Sequence, residues 1–185
     1  AEFNAQVYEP PLQYHYLKRP YTLIPLTAEA LPRPRTVDAA GRDVPPDSPR
    51  VAYTLYEVRI RPGILYQPHP AFARGPDGNL LYHSLTQSDL RDIYTLRDFP
   101  HSGTRELTAE DYIYQIKRLA HPRLNSPVFG LMSEYIAGMK EFAEALKAED
   151  KALAASGKKQ AWLDLSKITL SGVELIDKYS YRIRI

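Results

Sequence analysis

Residues 51–65 read VAYTLYEVRIRPGIL, with apolar side chains at every second position: Val51, Tyr53 and Leu55 in one phase, then Tyr56, Val58 and Ile60 in the other. Successive side chains leave a strand on opposite sides, so a period of two predicts a β-strand with a buried face. The change of phase predicts a bulge near Tyr56, because one extra residue exchanges the two faces of a strand. Pro62 and Gly63 then predict a turn.

The same alternation returns at residues 173–185. Val173 and Leu175 are followed by a turn pair, Asp177-Lys178, and then by Tyr179, Tyr181, Ile183 and Ile185. This pattern predicts a hairpin. Its second strand runs to the last residue of the chain, where a closing tail normally follows a strand, so the chain is expected to be cut from a longer protein.

Between these strands the period changes to that of helices. Thr108-Ala109-Glu110-Asp111 predicts a helix start: the threonine caps the first turn, and the carboxylates sit at its positive end. Tyr112, Ile113, Ile116, Leu119 and Ala120 form one apolar stripe until Pro122. A second helix is predicted over residues 129–155, with Tyr135, Ile136, Met139, Phe142 and Leu146 inward and Gly157 after its end.

The flanking segments read differently. Nine prolines from Pro10 to Pro49 exclude helix from most of residues 1–50, where stretches such as Tyr21 to Leu26 are suited to short strands or docked coil. Residues 73–105 are polar and turn-rich, opening with a type I turn at Gly75-Pro76-Asp77-Gly78. Such an excursion is either a functional loop or a peripheral insertion. The expected architecture is α+β, with antiparallel or mixed strands and two main helices. Residues 1–50 form an opening segment, and residues 51–185 form a subdomain carrying the insertion at 73–105.

Composition narrows the function classes. With 44% hydrophobic and 25% charged residues, the chain is expected to fold in water. A formal charge of +2 gives little attraction for a polyphosphate, so nucleic acid is not an expected partner. The absence of cysteine excludes disulfides, thiolate metal sites and cysteine nucleophiles. Fourteen tyrosines suit either a polar binding surface or a core with satisfied hydroxyls.

No catalytic constellation emerges. His15, His69, His83, His101 and His121 are too scattered to form a ligand pair, so no metal site is expected. Ser102, Ser126 and Ser133 lack a nucleophile-elbow context, and no phosphate loop is present. Glu110 and Asp111 are explained by their place in the first helical turn. Lys158-Lys159 reads either as an acidic-partner surface or as a solvated helix end. No cofactor is expected, and the chain is not expected to be an enzyme.

The order of elements carries a resemblance. A strand ending in residues 56–64 (YEVRIRPGI), the Leu107-Thr108-Ala109-Glu110-Asp111 helix start, Lys117-Arg118-Leu119 on that helix, and the closing residues 179–185 (YSYRIRI) occur together. In this the chain resembles the N-terminal part of the family 5 extracellular solute-binding proteins, the peptide-binding receptors of ABC importers. Val7-Tyr8-Glu9-Pro10 is similar to the family's opening motif, and the match is scattered from Val7 to Ile185. The chain departs from the pattern at Tyr66-Gln67-Pro68-His69-Pro70 and the excursion after it, and at Ala30-Leu31-Pro32, near which the family has a tryptophan.

The resemblance implies a fragment of a two-lobed periplasmic-binding-protein type II fold, whose cleft closes on its ligand by hinge motion. It implies an exported, periplasmic, monomeric binding protein that takes up peptides or similar small solutes and delivers them to an ABC permease. A signal peptide is not in this chain. Tyr8, Glu9 and Tyr14 are placed near the ligand cleft by the matching family segment, with lobe packing as the other reading of the same residues. The alternative class is a stand-alone α+β interaction module without a transport role, and a third is an enzyme completed by further sequence.

Overall fold

The computed structural model describes residues 8–157 and 162–185. The chain divides into two compact units: Ala1–Arg61 together with Thr108–Ile185, and Pro62–Leu107.

Among the described residues the first unit holds six strands and three helices, an α+β arrangement. A two-stranded antiparallel sheet pairs β1 (Leu12–Tyr14) with β2 (Leu23–Pro25). A four-stranded sheet contains β3 (Arg35–Val37), β4 (Tyr53–Arg59), β5 (Val173–Asp177) and β6 (Ser180–Arg184), in the order β3-β4-β6-β5. Every pairing is antiparallel, which resolves the expected "antiparallel or mixed" sheet. Described residues up to position 50 contain no helix.

The bulge expected near Tyr56 is absent. Pairing between β4 and β6 runs without a shift from Leu55↔Arg184 to Arg59↔Ser180. The change of phase has another cause: β4 buries one residue on each face, Leu55 on the side that carries Glu57 and Arg59 and Val58 on the opposite side. The register shift lies in β5, between Leu175 and Asp177. One face of this sheet carries an ionic row, in which Glu57 and Glu174 flank Arg182 at 2.5 and 2.9 Å and Arg35 holds Asp43 at 3.0 Å. The opposite face is apolar, and Val173 and Ile183 on it pack against the main core.

Helix α1 (Ala109–Arg118) begins at Thr108 with a capping box. The Thr108 N–H donates to the Asp111 carboxylate at 2.9 Å, which satisfies a donor that the helix itself leaves unpaired. The single helix expected over 129–155 is instead two, α2 (Phe129–Tyr135) and α3 (Met139–Ala155). Ile136 is extended, and Gly138 adopts φ of 72°, a left-handed conformation that a residue with a Cβ enters only at a cost. The break lets residues 136–138 meet residues 171–172 and the end of β6: a Cβ on Gly172 would collide with the Ala137 carbonyl oxygen, and the Ala137 N–H donates to the Arg184 carbonyl at 3.0 Å. Among the described residues the α-helices therefore number three, and Tyr135, expected inward, is exposed.

Met139, Phe142, Ala143 and Leu146 place one face of α3 in the core, beside Ile136 and Ala120 and against Leu163, Leu165 and Leu170. Their spacing of three and four residues is that of a helical stripe. Lys158-Lys159 lies outside the described residues.

The second unit begins at Pro62, earlier than the insertion expected at 73–105. Isolated bridges join Leu65 to Glu106 and His69 to Gly103. The Gly75–Gly78 turn closes with an N–H···O bond of 2.9 Å beneath an Arg74↔Leu80 bridge. Arg105 lies over the rings of Tyr66 and Phe72, 4.7 and 5.4 Å from their centroids.

Candidate functional site

The expected ligand residues Tyr8, Glu9 and Tyr14 belong to one stretch of the first unit. The segment from Glu9 to Pro11 has no sheet partner of its own, so its carbonyls are satisfied elsewhere. The Glu9 carbonyl accepts the Tyr112 hydroxyl at 2.9 Å. The Pro10 carbonyl accepts the Thr27 hydroxyl at 3.3 Å, and the Pro11 carbonyl accepts the N–H groups of Leu26 and Ala28 at 2.9 and 3.1 Å. Prolines at 10 and 11 offer acceptors without donors, and this segment is held through acceptors.

Behind it stands a small polar network. Thr27 is fully buried, and its hydroxyl lies 2.7 Å from that of Tyr112. Tyr112 stacks on Tyr181, which is also buried. Burial pushes both phenols above the usual tyrosine range; for Tyr112 the hydrogen bond with Thr27 opposes the rise and the charges of Glu9 and Asp111 add to it, and for Tyr181 the neighbouring Tyr112 adds to it. Both phenols are therefore neutral and unsuited to acid–base chemistry near neutral pH, and the Tyr112 hydroxyl is the one that positions the segment.

The three residues are not gathered into a cavity. Glu9 engages the network through its backbone. Tyr8 is 69% exposed, and Tyr14, on β1, is 67% exposed with its ring edge-on to Tyr21 at 6.1 Å. Two open depressions occur in the second unit, one bordered by Leu85, Leu90 and Arg91 and the other by Arg74, Leu80 and His83. Neither includes Tyr8, Glu9 or Tyr14. Among the described residues no group of three or more His, Asp or Glu side chains is placed to hold a metal ion, and no helix is long and apolar enough to cross a membrane.

Sequence reasoning passed over the tip of the β1–β2 hairpin. Tyr16, Leu17 and Tyr21 are 89, 77 and 72% exposed, beside exposed Lys18 and Arg19. The signal was present in residues 14–21, YHYLKRPY, an aromatic and basic run with no carboxylate between Glu9 and Glu29.

Comparison with protein-family models finds no match, and neither do comparisons with curated proteins and with solved structures.

Proposed function

We propose that this chain is the N-terminal part of a solute-binding receptor of an ABC importer, related to the family 5 extracellular solute-binding proteins. In this reading it belongs to one lobe of a two-lobed type II binding fold, is periplasmic and monomeric, has no enzymatic activity, and captures peptides or similar small solutes for a membrane permease. The supporting observation is that the separated stretches behind the resemblance meet in one place. Residues 56–59 of β4 pair with residues 180–183 of β6. The Ala109 N–H, at the start of the capped helix, donates to the Lys178 carbonyl at 2.9 Å, and Tyr112 stacks on Tyr181. The opening Tyr8-Glu9-Pro10 motif is tied to the same tyrosine through the Glu9 carbonyl. Four stretches spread over more than a hundred residues thus share one structural unit.

The test is thermal denaturation of the intact gene product against a library of short peptides. A peptide at 100 times its Kd stabilises the receptor by about 2.7 kcal/mol. The 185-residue chain alone, which in this reading lacks the second lobe, gives little or no shift. An unchanged midpoint for the intact protein with every peptide overturns peptide capture. An intact protein retained in the cytoplasm overturns the transport role.

A further inference from the structure

We propose that the tip of the β1–β2 hairpin is an attachment site for the anionic headgroup surface of a lipid bilayer. The argument begins with charge. From Pro10 to Ala28 there is no carboxylate, while Lys18 and Arg19 stand together at the tip. Lys18 is exposed and makes no ion pair among the described residues, so its charge is open to a partner.

The apolar side chains at the tip complement that charge. Tyr16, Leu17 and Tyr21 are 72–89% exposed, and Tyr14 adds a fourth large side chain lower on the hairpin. Exposed leucine and tyrosine beside lysine and arginine form the composition of a membrane interface: rings and alkyl groups enter the headgroup boundary, while hydroxyls and cations stay at the wet level.

The tip is also held in shape by its own bonds. His15 Nδ1 accepts the N–H groups of Leu17 and Lys18, each at 3.2 Å. The Arg19 guanidinium donates to the carbonyls of Tyr16 and Lys18 at 3.2 and 3.0 Å and lies 4.6 Å from the centre of the Tyr21 ring. The backbone of the turn is thus partly satisfied internally, which lowers the cost of moving it to a less hydrated surface. A turn with outward, exposed side chains suits a soft surface that can close around it. This inference stands apart from the transport reading, because neither a second lobe nor a ligand is needed for it.

Co-sedimentation of the 185-residue chain with vesicles tests it, using phosphatidylcholine alone and phosphatidylcholine mixed with phosphatidylglycerol. The chain is expected to sediment with the mixed vesicles, to be released by high salt, and to leave pure phosphatidylcholine largely unbound. Lys18→Gln is expected to lower the partition coefficient about fivefold by removing one cation near the anionic surface. Tyr16→Ser combined with Leu17→Ser, which leaves the charge intact, is expected to lower it roughly tenfold or more. Both variants should keep the parent's circular dichroism, since the altered side chains are exposed. Failure of the parent to bind mixed vesicles overturns the proposal, as does parental binding by both variants. If the parent ignores vesicles while an acidic peptide perturbs the NMR signals of residues 16–21, the tip is a protein-docking element and the membrane assignment is wrong.

Discussion

The rings of Tyr112 and Tyr181 stack with centroids 5.9 Å apart and planes 20° from parallel, and the Tyr112 hydroxyl reaches past this stack to the Glu9 carbonyl. One side chain therefore joins helix α1, strand β6 and the opening segment. Replacing Tyr112 by Phe keeps the ring but removes the donor to Glu9 and the partner of the Thr27 hydroxyl. Loss of these bonds is expected to cost about 1–2 kcal/mol in urea denaturation. The amides of Leu26 and Ala28, which donate to Pro11, should exchange faster with solvent, while those of β6 keep their protection. A variant with unchanged stability and unchanged exchange at these positions would show that the network does not anchor the segment.

The break between α2 and α3 depends on Gly138. Its φ of 72° and the 2.1 Å separation between a Cβ built there and the Ser171 Oγ penalise alanine in two ways. Gly138→Ala is expected to destabilise the chain by about 2 kcal/mol or more, against the gain of up to about 1 kcal/mol that the same change gives inside a regular helix. Ser171→Ala in the same chain removes the oxygen and should recover part of the loss, leaving the backbone component. Thermal unfolding of the two single variants and the double variant separates the contributions, and a more stable Gly138→Ala would contradict the broken helix.

Asp38 gives the stability a dependence on acid. Its carboxylate accepts the Ala40 and Arg42 N–H groups at 2.9 and 3.0 Å and the Arg42 Nε at 2.9 Å, and the Arg42 backbone bond is the leading cause of a pKa below the usual range. A folded pKa below the unfolded value stabilises the fold above the unfolded pKa, about 4, and that contribution is lost as pH falls through the folded value. Asp98 and Asp177 act with the same sign, because each accepts backbone N–H groups in its own turn. The melting temperature is expected to fall as the solution is acidified below the ordinary aspartate range, and Asp38→Asn should shallow that fall. Parallel curves for the parent and the variant would remove Asp38 from the explanation.

The sequence made local features more legible than breaks between them. The capping threonine, the two strands of the closing hairpin and the proline-rich opening were readable because each depends on neighbours in sequence. The division of residues 129–155 was less visible: alanine, glutamate and lysine continue the helical pattern after Gly138, and the reason for the break lies at Ser171 and Gly172. Likewise, alternation identified β4 as a strand but not as an interior one. Its two edges are taken by β3 and β6, whose positions alternation alone does not specify. For the candidate site, Tyr8, Glu9 and Tyr14 are indicated by the family resemblance alone and by nothing in composition or spacing. The hydroxyl of Tyr112, a hundred positions later, is the contact that explains how that segment is held.

The placement of β6 between β4 and β5 has a kinetic consequence. Glu57 and Arg182 are neighbours across the sheet yet 125 positions apart along the chain, whereas α1 and α3 need only nearby residues. Bringing such remote segments together demands a long conformational search before any ladder bond repays it. We expect the helices to be early landmarks in refolding and closure of the sheet to set the pace.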